Sequence, residues 1–86
     1  MGIIYGNRVL VKAERRGVSA EEIAETLETG APVAAHTGRQ ARVKVFPFRA
    51  ERQGTWYEEK EVRVVFIQTG EDTMVVTVIT RYGRFS

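Results

Sequence analysis

The sequence predicts an α+β domain in which two N-terminal helices pack on one face of a three- to four-stranded antiparallel sheet. Three observations carry this. A Ser19-x-x-Glu22 pair, directly after Arg16-Gly17-Val18, has the form of a capping box that opens a helix. Beyond Pro32 the hydrophobic pattern changes to period two. Near the end, a Thr69-Gly70-Glu71-Asp72 turn joins two strongly apolar runs into a hairpin.

From about Tyr5 to Arg16, Val9, Leu10 and Ala13 fit a helical stripe, although Ile3, Ile4, Val9 and Val11 are β-branched and also suit a strand. Taken as a helix, the segment sets Arg8, Lys12, Arg15 and Arg16 along one side at i, i+4 and i+3 steps. Gly17 ends it. Ser19 can then accept from a first-turn amide, Glu22 can reach back, and Val18 and Ile23 are spaced as a hydrophobic staple. The second helix, about Ala20 to Thr29, is expected to bury Ala20, Ile23, Ala24 and Leu27 and to turn Glu21, Glu22, Glu25 and Glu28 outward. Gly30 is expected to close it in the left-handed conformation, and Pro32 cannot continue it.

A short segment from Val33 to His36 and a Thr37-Gly38 turn lead into a strand from Arg39 to Phe48. There Ala41, Val43 and Val45 alternate with Arg42, Lys44 and Phe46, so one face is apolar and the other carries two cations leading to aromatics. A polar loop around Gly54 precedes strands Glu61 to Gln68 and Thr73 to Tyr82, and Trp56 and Tyr57 either anchor that loop or form part of a subunit interface.

Composition narrows the function classes. With 86 residues and 43% hydrophobic content the chain makes one ordered domain. The absence of Cys rules out disulfides, thiolate zinc sites and cysteine nucleophiles. No hydrophobic run matches a signal-peptide core or a bilayer span, so a soluble, cytoplasmic protein without membrane association is expected. No phosphate-cradling Gly-rich loop, nucleophile elbow or dinucleotide fingerprint is present, and no cofactor is expected. The four glutamates of the second helix read as a solvated face, so no metal is expected either. The net charge of +2 is unevenly distributed. Residues 1–18 carry four Lys/Arg against Glu14, residues 19–30 carry four Glu and no base, and residues 31–56 carry five Lys/Arg against Glu51. Such blocks either neutralise one another in the folded chain or present a basic surface to phosphate.

The basic helix, Arg16-Gly17-Val18-Ser19, the helix ending at Gly30, the meander, and the last strand Val78-Ile79-Thr80-Arg81-Tyr82 together resemble a group of small bacterial domains. These are the families allied to the RelE/ParE and BrnT toxins, within the barnase-like and RelE-like ribonuclease fold group. Many of those relatives begin helix one with a His followed at four-residue steps by two Arg. The matching positions here are Arg8, Lys12 and Arg16. Cationic character survives at all three, but a proton transfer performed by such a His does not carry over to Arg8, whose guanidinium does not titrate usefully.

The resemblance implies metal-independent RNA cleavage, in which a ribose 2′-hydroxyl attacks the neighbouring phosphate. A toxin–antitoxin setting would add a small antitoxin protein as partner. Such chemistry needs an acid, a base and fixed cations. His36 can serve as acid or base, Tyr82 can donate a proton or stack on a base, and Arg39, Arg42, Lys44 and Arg81 can hold phosphate oxygens. His36, Arg81 and Tyr82 are thus the candidate catalytic set; Arg8, Lys12, Arg16, Arg39, Arg42 and Lys44 are the candidate RNA-binding set. Two alternatives stand beside this reading. One is a non-catalytic nucleic-acid-binding protein of the same fold; the other is a homo-oligomer that pairs an apolar sheet face of Val65, Ile67, Val75 and Ile79.

Overall fold

The computed structural model describes residues 2–85. It comprises β1 (Ile3–Tyr5), α1 (Val9–Arg15), α2 (Ala20–Thr29), β2 (Ala31–Val33), β3 (Gln40–Arg52), β4 (Thr55–Thr69) and β5 (Asp72–Gly83). The strands form one five-stranded mixed sheet in the order β1-β5-β4-β3-β2. The α+β class therefore holds, while the expected three or four antiparallel strands become five, with β1 parallel to β5.

The additional strand comes from the β-branched N-terminus. Ile3, Ile4 and Tyr5 lie beside Thr73, Met74 and Val75, and the Gly6 amide extends the ladder to the Val75 carbonyl at 2.9 Å. This pairing delays the helix expected from Tyr5, and α1 starts only at Val9. Arg8 takes the N-cap position at φ 64 and makes no side-chain cap. Further on, the loop expected around Gly54 is a hairpin whose strands run to Arg52 and from Thr55. Gln53 and Gly54 both have positive φ, the type I′ pattern that matches strand twist.

The helix junction is built as its sequence suggests. The Gly17 amide donates to Glu14 O and the Val18 amide to Ala13 O, which makes a Schellman closure with Gly17 at φ 82. Ser19 Oγ accepts from the Glu22 amide at 3.1 Å, and Glu22 Oε1 accepts from the Ser19 amide at 3.0 Å. Gly30, by contrast, is extended at φ −71 and ψ 159 rather than left-handed. Glycine is needed there for space, because a Cβ would meet the Thr26 and Val43 carbonyls.

Both helices cover one side of the sheet. Val9 and Ala13 of α1, Val18, and Ile23 of α2 meet Phe46, Val62, Val64, Phe66, Val75 and Val78. Removing each of the fully buried Ile23, Val62, Val64 and Val75 side chains from water contributes about 1.5–3 kcal/mol. Thr26 is buried with Ile23, its hydroxyl donating to Glu22 O, whereas the expected core residue Ala20 is exposed. On β5, a register shift opposite Val65/Phe66 lets Val75 and Val78, three residues apart, both face the helices. Val75 is consequently part of the core and not of a free apolar face. Among the described residues, Thr80 Oγ1 is the buried side-chain polar atom without a partner. Thr80→Val keeps the shape and removes the unsatisfied hydroxyl, so it is expected to add about 1 kcal/mol of stability. A raised urea midpoint at unchanged slope would show this, and a lowered one would refute it.

Candidate functional site

Five of the 13 Lys/Arg residues are bound on the helix side. The last carbonyls of a helix lack intrahelical partners and carry the negative end of its dipole, so cations are stabilised beside them. At the end of α1, Arg52 Nη2 donates to Arg15 O at 2.8 Å and Lys60 Nζ to Gly17 O at 2.8 Å. Between them the Tyr82 hydroxyl donates to Arg16 O. At the end of α2, Arg42 Nη1 donates to Gly30 O at 3.0 Å and Lys44 Nζ to Thr29 Oγ1 at 2.8 Å. Lys44 also pairs with Glu25 at 3.5 Å.

These contacts settle where several candidate residues stand. Arg42 and Lys44 lie on the helix-facing side of β3 with buried Phe46, so the apolar-looking alternation Ala41, Val43, Val45 faces away from the helices. Arg16 reaches along the edge of β5 to the Val78 carbonyl. Arg8, at the N-cap of α1, and Lys12, within it, are exposed at the helix that covers this side. Tyr82 packs edge-on to Phe48 with centroids 5.0 Å apart, and the Arg52 guanidinium stands 4.8 Å from its ring centroid. Burial pushes the Tyr82 hydroxyl above its ordinary pKa of 10.0; the nearby Arg52 charge pulls it part of the way back, and Glu22 adds a smaller upward push.

The opposite face of the sheet is uncovered by helices, and strand register arranges its side chains in three rows. Ala41, Val65 and Thr77 form one, Val43, Arg63 and Ile79 the next, and Val45, Glu61 and Arg81 the third. The loop between β2 and β3 rises beside the first two rows. Its His36–Arg39 turn is closed by the Arg39 amide on His36 O at 2.9 Å, with Gly38 at φ 82, so His36 and Arg39 end up as neighbours across the turn. Arg63 Nη2 ties the loop down through Ala34 O at 2.9 Å. The result is an open trough of about 540 Å³ with Val65, Thr77 and Ile79 as floor, Ala34 and Ala35 as wall, and His36, Arg39 and Arg63 at the rim.

The electrostatics of this face separate its cations. Arg81 is bound to Glu61 Oε1 through Nε at 3.0 Å and Nη2 at 2.7 Å, and so is locally neutralised. Among the described residues, no carboxylate pairs with Arg39 or Arg63. A smaller depression of about 190 Å³, bordered by Val43, Glu61 and Arg81, shares Arg63 with the trough. The rim therefore presents two uncompensated guanidinium groups and one imidazole above an apolar floor, which suits an anion that carries an apolar or aromatic body.

Of the candidate catalytic set, His36 lies in the trough, Arg81 in the adjoining row, and Tyr82 on the other side of the sheet. Arg39 joins His36; Arg42, Lys44, Arg8, Lys12 and Arg16 do not. Arg63 was not among the residues singled out from sequence. The signal available was an arginine in phase with Val65 and Ile67 inside a strand of otherwise apolar alternation. No helix among the described residues is long and apolar enough to cross a membrane. Comparisons with protein-family models, with curated proteins and with solved structures gave no match.

Proposed function

We propose that this chain is a RelE/BrnT toxin-like protein that binds RNA on its open sheet face without cleaving it. The observation that supports this reading is the separation of the proton-handling groups. His36 stands over the trough with Arg39 and Arg63, while the Tyr82 hydroxyl is committed to Arg16 O on the helix side. Phosphate can be held at the trough, but 2′-hydroxyl attack also needs a general acid and a general base placed on one phosphate. Metal-independent endoribonuclease activity is the second reading. What favours it is the same imidazole, which shares a rim with two guanidinium groups. Neither reading requires an antitoxin or a second copy of the chain.

The test is fluorescence anisotropy with a labelled RNA oligomer across 50–200 mM salt, together with gel analysis of the RNA in EDTA. One phosphate held between the two guanidinium groups predicts a slope of log affinity on log salt of about −0.7, and Arg63→Gln should weaken binding and flatten that slope. Intact RNA is the expected gel result. Cleavage that disappears in His36→Ala would establish the second reading instead, and absence of any binding would remove both.

A further inference from the structure

We infer that the trough seats one unpaired nucleotide, its base against the floor and its phosphate on Arg39 and Arg63, so that the protein selects single-stranded over duplex RNA. This rests on the RNA-binding reading and adds to it the form of the ligand. A bare phosphate would use only the rim. The floor of Val65, Ile79 and Thr77, with the Ala34 and Ala35 wall, gains from a ligand only if an apolar or π face covers it. A nucleotide carries both parts, joined by a ribose. The volume of about 540 Å³ lies within the roughly 300–1,000 Å³ usual for small-molecule sites.

Duplex RNA does not fit this arrangement, because its bases are covered on both faces by their neighbours and only their edges, with phosphates and sugars, reach the protein. An unstacked base has a free face, and base contact of this kind tolerates sequence variation. Arg63 fixes the geometry from two directions. Its Nη2 anchors the wall through Ala34 O, and its place in the row between Val43 and Ile79 sets the guanidinium at the margin of the floor. Thr77 is the one hydroxyl on the floor and can engage a base edge or a ribose hydroxyl.

The experiment compares a labelled single-stranded RNA with its own duplex at one salt concentration, then displaces the single strand with adenosine 5′-monophosphate or with ribose 5-phosphate. The expected results are about tenfold tighter binding of the single strand, and displacement by the nucleotide at about tenfold lower concentration than by the sugar phosphate. Ile79→Ser alters a side chain that is 44% exposed and should fold normally. It should abolish the nucleotide's advantage while leaving the salt slope unchanged, whereas Arg63→Gln should weaken both competitors. Equal potency of nucleotide and sugar phosphate, or equal binding of single strand and duplex, would overturn the base seat while RNA binding stood. Failure of both RNAs to bind would overturn the underlying reading as well.

Discussion

Lys60→Met is expected to lower the unfolding free energy by about 3 kcal/mol, a loss typical of breaking a buried ion pair from one side. Lys60 is 6% exposed and lies 2.8 Å from Gly17 O, 2.9 Å from Glu22 Oε1 and 2.8 Å from Glu22 Oε2. Methionine retains a stem of similar length against Phe48 but leaves the Gly17 carbonyl and the Glu22 carboxylate without their shared donor. Because Glu22 also completes the capping box, the damage extends to the start of α2. For a domain of this size the melting temperature should fall by roughly 12–24 °C. A fall of only a degree or two would mean that water replaces the ammonium without cost.

The same contact gives the stability a pH dependence. Burial alone pushes the Glu22 carboxyl up, but the hydrogen bonds from Lys60 and the Ser19 amide and the Lys60 charge outweigh it, so its folded pKa lies below the ordinary 4.5. A carboxyl with a depressed folded pKa stabilises fully above its unfolded value, and that contribution disappears as pH falls through the folded value. The free-energy difference between wild type and Glu22→Gln should therefore be largest near neutrality and shrink below about pH 4.5, as read from urea unfolding. A difference that grew on acidification would contradict the assignment.

Gly17→Ala is expected to cost about 2–3 kcal/mol. Left-handed backbone costs a non-glycine residue about 1 kcal/mol, and Gly17 is held at φ 82 by the Schellman bonds. In addition, a Cβ would collide with the Tyr82 hydroxyl and lie 3.1 Å from Arg52 Nη1. Both side chains would have to retreat, giving up their hydrogen bonds to Arg16 O and Arg15 O. Gly54→Ala serves as the comparison, since Gly54 has φ 83 but open space around it. It should show the backbone cost of about 1 kcal/mol alone. Equal losses in the two variants, measured by denaturant unfolding, would refute the packing role of Gly17.

Where the sequence reading succeeded, the determining contacts were short-range. Ser19 and Glu22 are three residues apart, the Schellman bonds span three and five, and the β4–β5 turn needs only Thr69 to Asp72. The extent of α2 was legible for the same reason. The reading failed where a partner lay far along the chain. β1 exists because Ile3–Tyr5 finds Thr73–Val75, and the shift that turns Val75 and Val78 inward is a response to β4.

The candidate site divides along the same boundary. That Arg39, Arg42, Lys44 and Arg52 form a basic block is plain from their order, but which of them is free is not. Arg42, Lys44 and Arg52 answer helix-end groups 12, 15 and 37 residues away, and Arg81 answers Glu61 20 residues away. Caps, turns and alternation follow from local chemistry, because each is satisfied within a few residues. Which cations remain for a ligand is decided by tertiary structure, since orphan carbonyls and carboxylates come within reach of them only once the helices settle on the sheet. Arg39 and Arg63 are left beside His36 on the uncovered face, and the capped junction at Gly17 is where three of the other groups are bound.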